Sequence, residues 1–460
     1  MKRSRSLRMA KIDAPKAFIP PGPRGHFLLG HLQEYGKDPL GFLARCARDY
    51  GDIVHLRFPG THVYLLNHPD YIEEVLSADS ADYIRHKGMH LRLTRRLLGN
   101  GLLTSEGDFS RSQRRLALPA FHRTRVAAYG ALMLACTERM LATWRAGQTR
   151  NVHKDMMRLT LEIVSKTLFD ADVTRTPGDI AEAALGILKD EFTARRSSLR
   201  SLSVILALPV NRRARKAVRQ LDGIIHRIIQ HRQASAEDTG DLLSMLLAAR
   251  DETGDRLSEQ QLRDEVITFF FAGHEATGLT LSWAWYLLAQ HPRVEEKLVA
   301  ELRAVLGGRA PSAADLPSLR YTAMVVKEAL RLYPPAWAIG RESLRDRVVG
   351  GYDVPAGTQL IMSQWVTHRD PRYFECPEDF RPERWTDDSI KQLPRYAYFP
   401  YGGGARVCIG NAFAEMEMVL LLATIAQRFR LTLVADQQVA PLPTFALVPK
   451  DGIKIGRAHV

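Results

Sequence analysis

One segment, residues 258–290, constrains the fold of this 460-residue chain more than any other. Ser258 and Gln261 form a capping-box pattern at its start, and Pro292 follows its end. At a rise of 1.5 Å per residue, a helix of this length would span about 48 Å, long enough to cross the whole molecule. Its centre, residues 269–273, is apolar on every side, so we expect the helix to be buried.

Helical periodicity covers residues 102–332, whereas β-rich residues concentrate in two blocks, 53–67 and 348–366. The first block flanks Pro59-Gly60 and predicts a hairpin, and the second contains a turn signal at 355–357. The two blocks could pair into one small sheet. We therefore predict a mainly α fold with small β-sheets (α+β), built as a helical body around one long central helix.

The length alone favours two or three domains, but the continuous helical pattern favours one large body. We predict a basic N-terminal arm at residues 1–18 and a single domain at residues 19–460. The first fifty residues are interpreted as an arm-like region, because the PPGP sequence at 20–23 cannot be helical.

The chain carries 64 basic and 51 acidic residues, a formal net charge of +13. Such an excess suits a nucleic-acid surface, a membrane-facing patch or the docking of an acidic protein. The basic residues are scattered through helices, and no aromatic platform accompanies them, so we predict no nucleic-acid partner. A simple solvated basic surface is the alternative to acidic-partner docking.

Four cysteines, at 46, 136, 376 and 408, are too widely and irregularly spaced for a metal pair or a disulfide framework. A reducing cytoplasm is the expected location, and one cysteine remains available as a ligand. The basic N-terminus lacks the apolar stretch of a signal peptide, and no run of about 20 apolar residues occurs. We therefore expect a soluble monomer without a transmembrane segment.

The loop at residues 399–410, FPYGGGARVCIG, is the most specific feature of the sequence. Consecutive glycines let a backbone turn tightly and approach a flat molecule closely. Arg406, two residues before Cys408, can bind a carboxylate. The helix that begins near Gly410 and runs to Arg428 directs its first N–H groups at the sulfur. A glycine loop with an inert cysteine is the alternative, but it leaves the arginine and the helix start unexplained.

This loop resembles the haem-binding signature of the cytochrome P-450 family: an aromatic, two residues, Gly, one residue, Arg, one residue, Cys, one residue, Gly. The resemblance implies that Cys408 is the axial ligand of haem b, a thiolate that favours O–O cleavage in this family. Arg406 and Tyr401 would contact the cofactor, with Tyr401 standing where the family usually has Phe. The resemblance covers about residues 19–454 and implies that the long central helix lies over the haem.

Glu328 and Arg331 resemble the family's ExxR motif, with Arg384 as the implied third partner. Residues three apart on a helix share one face, so the two can pair. A surface pair of this kind would contribute only a few tenths of a kcal/mol, on the order of 0.3, and is common by chance. With Cys408 eighty residues downstream, the motif becomes specific, and its implied role is structural.

The central helix carries AGHEAT at 272–277, which resembles the oxygen-activation segment. Glu275 is the implied proton source, and it shares a helix face with Ala272, three residues earlier, the face that we expect over the iron. Thr277 is a second catalytic candidate; no second histidine follows at zinc-site spacing. The family usually has Thr directly after the acid, where this chain has Ala276. Thr277 lies about 100° further around the helix and cannot simply replace that hydroxyl. We hypothesise that a substrate hydroxyl or an ordered water acts beside Ala276; a poorly coupled enzyme, or a reaction that needs less proton control, is the alternative.

Residues 107–121 resemble the helix that contacts a haem propionate. Arg114 is the implied propionate partner, and Arg341 resembles a further one, although either could be a solvated surface residue. Ser110 stands where the family commonly has Trp or His, so a ring-nitrogen donor is missing.

The implied reaction inserts one oxygen atom from O2 into an apolar organic molecule such as a fatty acid, terpenoid or polyketide. No flavin domain or ferredoxin-type cysteine cluster occurs in the chain, so electrons from NAD(P)H should arrive through a separate ferredoxin or flavodoxin with its reductase, and the positive charge suits an acidic donor. A haem protein that rearranges its substrate or uses peroxide, and a non-catalytic haem sensor, remain alternatives. The resemblance places the substrate against residues 83–98, 202–209, 271–272, 335–339 and the segment near Phe445.

Overall fold

A computed structural model describes residues 18–77, 82–85, 95, 97–145, 147–170, 208–235, 240–250, 254 and 256–459. The basic arm before Phe18, and most of the expected substrate segments 83–98 and 202–209, lie outside these described residues. The division into an arm and one domain therefore stays a prediction.

Helices dominate the described chain, as the sequence predicted, and we number them α1 to α15. They are α1 Leu32–Lys37, α2 Pro39–Tyr50, α3 Pro69–Ser77, α4 Gly107–Ala117, α5 Arg123–Ala128, α6 Gly130–Ala142, α7 Val152–Phe169, α8 Leu208–Ser235, α9 Leu242–Ala248, α10 Glu259–Gln290, α11 Pro292–Leu306, α12 Arg320–Leu332, α13 Gln364–Thr367, α14 Asp387–Gln392 and α15 Asn411–Ala426. None of the helices within the described ranges combines the length and the apolar character that crossing a bilayer requires.

The strands are short and form small sheets. They are β1 Ile53–Phe58, β2 Thr61–Leu66, β3 Tyr83–Arg85, β4 Arg150–Asn151, β5 Ile339–Ser343, β6 Arg347–Val349, β7 Tyr352–Val354, β8 Gln359–Met362, β9 Phe429–Leu433, β10 Pro441–Pro443, β11 Leu447–Pro449 and β12 Lys454–His459. The largest sheet has the order β1-β2-β8-β5-β3; the others have the orders β4-β12-β9, β6-β7 and β10-β11.

The long helix α10 confirms the prediction from the sequence at both ends. The Ser258 hydroxyl accepts a hydrogen bond from the Gln261 N–H at 3.2 Å, and the Gln261 side chain accepts one from the Ser258 N–H at 2.7 Å. α10 packs most extensively against α7. Glycines allow this close approach, because a Cβ at Gly273 would collide with Val164. The Gly in the middle of a buried helix thus has a packing reason.

The two predicted β blocks do meet, since β2 and β8 pair in parallel. The second block, however, is not one unit: β6 and β7 form a separate hairpin, and residues 364–367 are helical. The physical reason is Gly350-Gly351, whose φ angles of 57° and 83° make the tight turn between β6 and β7. The turn at 355–357 therefore connects two sheets rather than two paired strands.

The interpretation of the first fifty residues as an arm is wrong for α1 and α2. Asp38 caps α2 by accepting a hydrogen bond from the Gly41 N–H at 2.9 Å, and Pro39 occupies the first turn. Phe42 and Leu43 of α2 are buried against strands β1 and β2. The Asp38-Pro39 pair was the sequence signal that could have predicted the start of α2.

The carboxylate of Glu328 lies in the protein interior, where Arg331, Arg384 and Trp385 bind it. We call these four residues the Glu328 hub. Arg331 donates to both of its carboxylate oxygens at 2.9 Å, and Arg384 donates to one of them at 2.9 Å, as predicted. The indole N–H of Trp385 adds a fourth bond at 2.8 Å, which the sequence did not predict. The side chains of Glu328 and Arg331 are 0% exposed, so this i,i+3 pair is a core element rather than a surface pair.

Replacing Glu328 with Ala should destabilise the protein by about 3–5 kcal/mol, because the buried Arg331 and the half-buried Arg384 would lose their carboxylate. Urea unfolding followed by circular dichroism measures this loss. Asp388→Ala is a matched control, since Asp388 and Lys391 form the same i,i+3 pair with side chains 90% and 74% exposed. Equal unfolding midpoints for the two variants would contradict a structural role for the hub.

Candidate active site

The loop around Cys408 is shaped by two glycines with left-handed backbone. Gly402 and Gly404 have φ angles of 71° and 63°, in the left-handed region that favours glycine. A Cβ on Gly404 would overlap the carbonyl oxygen of Leu76 at the end of α3, so the loop packs directly on that helix. The Cys408 N–H donates to the Tyr401 carbonyl at 3.0 Å and closes the loop.

The backbone N–H of Gly410, the residue that precedes α15, lies beside the Cys408 sulfur. Burial raises the pKa of the Cys408 thiol, and the Gly410 N–H and the Arg114 guanidinium both act in the opposite direction. Yet the side chain remains exposed. An exposed cysteine beside an N–H group and a guanidinium can bind a metal as the thiolate.

The other three cysteines lack this combination. Cys46 and Cys136 are buried, and burial raises the pKa of each thiol to about 12. Cys376 is exposed, but it lies in the loop that precedes Arg384, far along the chain from the glycine loop. Cys408 alone of the four is both exposed and placed beside the N–H group at the start of a long helix.

Arg406 binds three groups at the start of α4. It donates to the Ser105 carbonyl at 2.9 Å and to the Ser110 hydroxyl at 3.0 Å, and it forms an ion pair with Glu106. Ser110, which lacks the ring nitrogen expected from the resemblance, thus orients an arginine instead. Sequence reasoning missed Glu106, the residue that directly precedes α4.

Arg114 and Arg341 add two further cations to this region. Arg114 donates to the Val407 carbonyl at 2.8 Å, next to Cys408. Arg341 donates to the Gly340 carbonyl at 3.0 Å, and burial, followed by the charge of Arg406, lowers its pKa to about 10. With Arg406 and Glu106, the four groups carry three positive charges and one negative charge.

This donor set fits a haem. An accessible sulfur with an N–H donor suits an iron ligand, and partly buried arginines in excess of carboxylates suit the two propionate groups. Phe121 connects the loop to the central helix, because a Cβ on Gly410 would lie 3.6 Å from its ring and the ring stacks on Phe269 at 5.4 Å. The Cys408 loop and α10 therefore border the same region.

Helix α10 presents an accessible strip that differs from the expected face. Ala272 and Ala276 are exposed in the middle of an otherwise buried helix, whereas Glu275 is 7% exposed and Thr277 only 3%. The expectation that Glu275 shares the open face with Ala272 is therefore not met. The Thr277 hydroxyl donates towards the Gly273 carbonyl at 3.5 Å, as suits a threonine turned to its own helix.

Thr280 behaves like Thr277, since its hydroxyl donates to the Ala276 carbonyl at 2.8 Å. The accessible strip of α10 thus carries alanine methyl groups, with the neighbouring hydroxyls turned to backbone carbonyls. The surface that α10 offers to a small molecule is apolar.

Two of the expected substrate segments meet. The Trp337 indole N–H donates to the Thr444 carbonyl at 3.0 Å, and the Leu447 N–H donates to the Pro335 carbonyl at 3.0 Å. These bonds join residues 335–339 to the strand pair that begins at Pro441.

Tyr401 lies deep in the Cys408 loop, where burial, and next the Glu415 carboxylate, raise the pKa of its hydroxyl well above the ordinary value.

Comparisons with known proteins agree with this geometry. The cytochrome P-450 family profile matches residues 20–456. Cyclooctatin synthase of Streptomyces melanosporofaciens is 38% identical over 433 residues, covering 92% of this chain and 92% of the relative. Cyclooctat-9-en-7-ol 5-monooxygenase of the same organism is 39% identical over 405 residues, covering 88% and 87%. Pentalenene oxygenase of Streptomyces avermitilis is 34% identical over 420 residues, covering 90% and 92%.

Proposed function

The chain belongs to the cytochrome P-450 family, and from this premise we propose that it oxidises a terpenoid at a haem whose iron is bound by Cys408. It is a haem monooxygenase that incorporates one oxygen atom from O2 into an apolar substrate. Members of this family use haem b and receive electrons that originate from NAD(P)H through redox partners. The accessible Cys408 sulfur with its Gly410 N–H is the observation that carries the assignment of the ligand.

The terpenoid class is chosen from the three classes that the sequence suggested. Two of the relatives are named for cyclooctat-9-en-7-ol and for pentalenene. The strip of α10 that carries Ala272 and Ala276 supports an apolar, bulky substrate, because it has small side chains and the hydroxyls beside it are turned away. A ring system without charged groups would leave no buried charge unpaired against this surface.

Each polar residue near the site has a proposed role. The Gly410 N–H stabilises the Cys408 thiolate, and Arg114, Arg341 and Arg406 bind the propionates. The bound haem supplies the oxygen-activating chemistry. Glu275 carries protons towards the site. Thr277 assists only if its hydroxyl rotates away from the Gly273 carbonyl, to which it donates.

The electron donor is proposed to be an acidic ferredoxin or a flavodoxin, each with its own reductase. The formal net charge of +13 supports an acidic partner, because complementary charges accelerate encounter. A cytoplasmic location agrees with four free cysteines. We further propose that the enzyme acts as a monomer.

Binding spectra test the substrate class. Polycyclic terpenes and terpene alcohols should shift the Soret band of the ferric protein, because they displace water near the iron. Fatty acids and macrolides of similar size should shift it weakly. Product mass spectra under heavy-isotope O2 then count one inserted oxygen atom. Strong shifts confined to fatty acids would contradict the terpenoid assignment.

Ala276→Thr tests whether the substrate supplies the hydroxyl missing beside Glu275. The added side chain would crowd that hydroxyl, so product formed per NADPH consumed should fall or stay level with a terpene alcohol. Ala272→Thr is the matched control, since it adds the same side chain one turn earlier on the same accessible strip. A several-fold rise in coupling in Ala276→Thr would show instead that the native enzyme is simply poorly coupled.

A further inference from the structure

His368 is a fully buried histidine that connects two distant parts of the chain. Its ring Nε2 accepts a hydrogen bond at 3.0 Å from the backbone N–H of Phe399, the first residue of the cysteine loop. Its own carbonyl accepts a hydrogen bond at 2.9 Å from Arg331 of the Glu328 hub. One residue therefore binds both the hub and the loop.

The other side of the ring faces the end of α12. Nδ1 lies beside the backbone carbonyls of Leu330 and Arg331 without a hydrogen bond to either. Carbonyls in the last turn of a helix lack partners within that helix and favour such a donor. The ring also packs against Tyr398 and Phe399, with centroid distances of 5.0 and 5.3 Å.

These contacts fix the form of the imidazole. Nε2 must carry the lone pair, because it accepts from Phe399, and the single proton must lie on Nδ1. Burial, and next the charges of Arg331 and Arg369, lower the pKa of His368 well below its ordinary value. A second proton on Nε2 would place two N–H groups against each other.

From Phe399 the hydrogen bonds continue to the cysteine. The Gly402 N–H donates to the Phe399 carbonyl at 2.9 Å, and the Cys408 N–H donates to the Tyr401 carbonyl at 3.0 Å. Buried backbone N–H groups need a partner, and for Phe399 that partner is a side chain 31 residues earlier in the chain. The loop is thus fastened to α12 at its first residue.

We propose that His368 is a positioning residue that holds the start of the cysteine loop against α12 and so keeps the Cys408 thiolate on the iron. This inference rests on the proposed role of Cys408 as the ligand. His368 directly follows α13 as its C-cap residue. Thr367, equally buried one residue earlier, has a hydroxyl without a hydrogen-bond partner among the described residues.

Four variants of the haem-loaded protein separate positioning from simple packing. His368→Phe keeps the ring but removes the acceptor. His368→Asn keeps a polar group at the Nδ1 position but is too short to reach Phe399. It replaces His368→Phe in the comparison if that variant does not fold well enough to be purified. His368→Gln restores an acceptor near the Nε2 position. Thr367→Val is the matched control, because it removes a buried hydroxyl that has no partner.

Two readouts other than activity are measured. Amide hydrogen exchange at Phe399 should be about tenfold faster in the Phe and Asn variants, the factor expected for loss of one net hydrogen bond. The ferrous carbonyl complex should lose its long-wavelength thiolate band faster in these two variants, at a urea concentration where all variants remain folded. His368→Gln and Thr367→Val should resemble the wild type in both measurements.

Wild-type exchange and band lifetime in both His368→Phe and His368→Asn would overturn the inference, and so would an equal loss in Thr367→Val. These results would leave the proposed function intact, provided that the wild type shows the thiolate band. If the wild type itself lacks that band, the assignment of Cys408 fails, and the role of His368 fails with it.

Discussion

The buried carboxylate of Glu328 is the interaction on which the rest of the architecture depends. A lone charge in a protein interior is strongly unfavourable, so the fold must bring it donors. Arg331 comes from the same helix, whereas Arg384 and Trp385 come from a segment more than fifty residues later. Burying this one group therefore requires α12 and the later segment to be assembled together.

Arg331 extends the hub further, because its remaining N–H groups bind backbone carbonyls. They donate to the carbonyls of His368, Pro377 and Asp379 at 2.9, 2.6 and 3.0 Å. The segment from His368 to Asp379 is thus held by charge-assisted bonds rather than by regular strands or helices. Its position then determines where the glycine loop begins and where Cys408 lies.

The active site uses the opposite electrostatic arrangement. At the hub, the cations surround an anion supplied by the protein; around Cys408, arginines outnumber the carboxylate of Glu106. A cofactor with two carboxylates and an iron that favours a thiolate completes that balance. The difference explains why the hub is structural and why the arginine cluster points to a cofactor.

Features that depend on neighbouring residues could be predicted from the sequence. The cap at Ser258 and the pair of Glu328 with Arg331 depend on spacings of three residues, and both are confirmed. The family membership and the monooxygenase activity also followed from short motifs and are confirmed by the comparisons. The roles of the individual site residues stay predictions.

Distant contacts that no family motif carries could not be predicted, whereas the bond of Arg384 to Glu328 was implied by the resemblance. Ser110 bonds to Arg406 almost three hundred residues later, and no local pattern announces that contact. Whether Ala276 or Glu275 faces open space is decided by how α10 rotates against α7, because the glycines of α10 set that packing. Helix periodicity gives relative angles around one helix, but it does not say which face another helix covers.

The central claim is that the Cys408 sulfur binds the haem iron, and vibrational spectroscopy tests it most directly. Replacing Cys46, Cys136 and Cys376 leaves one cysteine, which can be labelled with a heavy sulfur isotope. Resonance Raman spectra of the ferric haem protein should then show an iron–sulfur stretching band that moves to lower frequency with the label. A spectrum that the label leaves unchanged, in a protein that still retains its haem, would contradict the account.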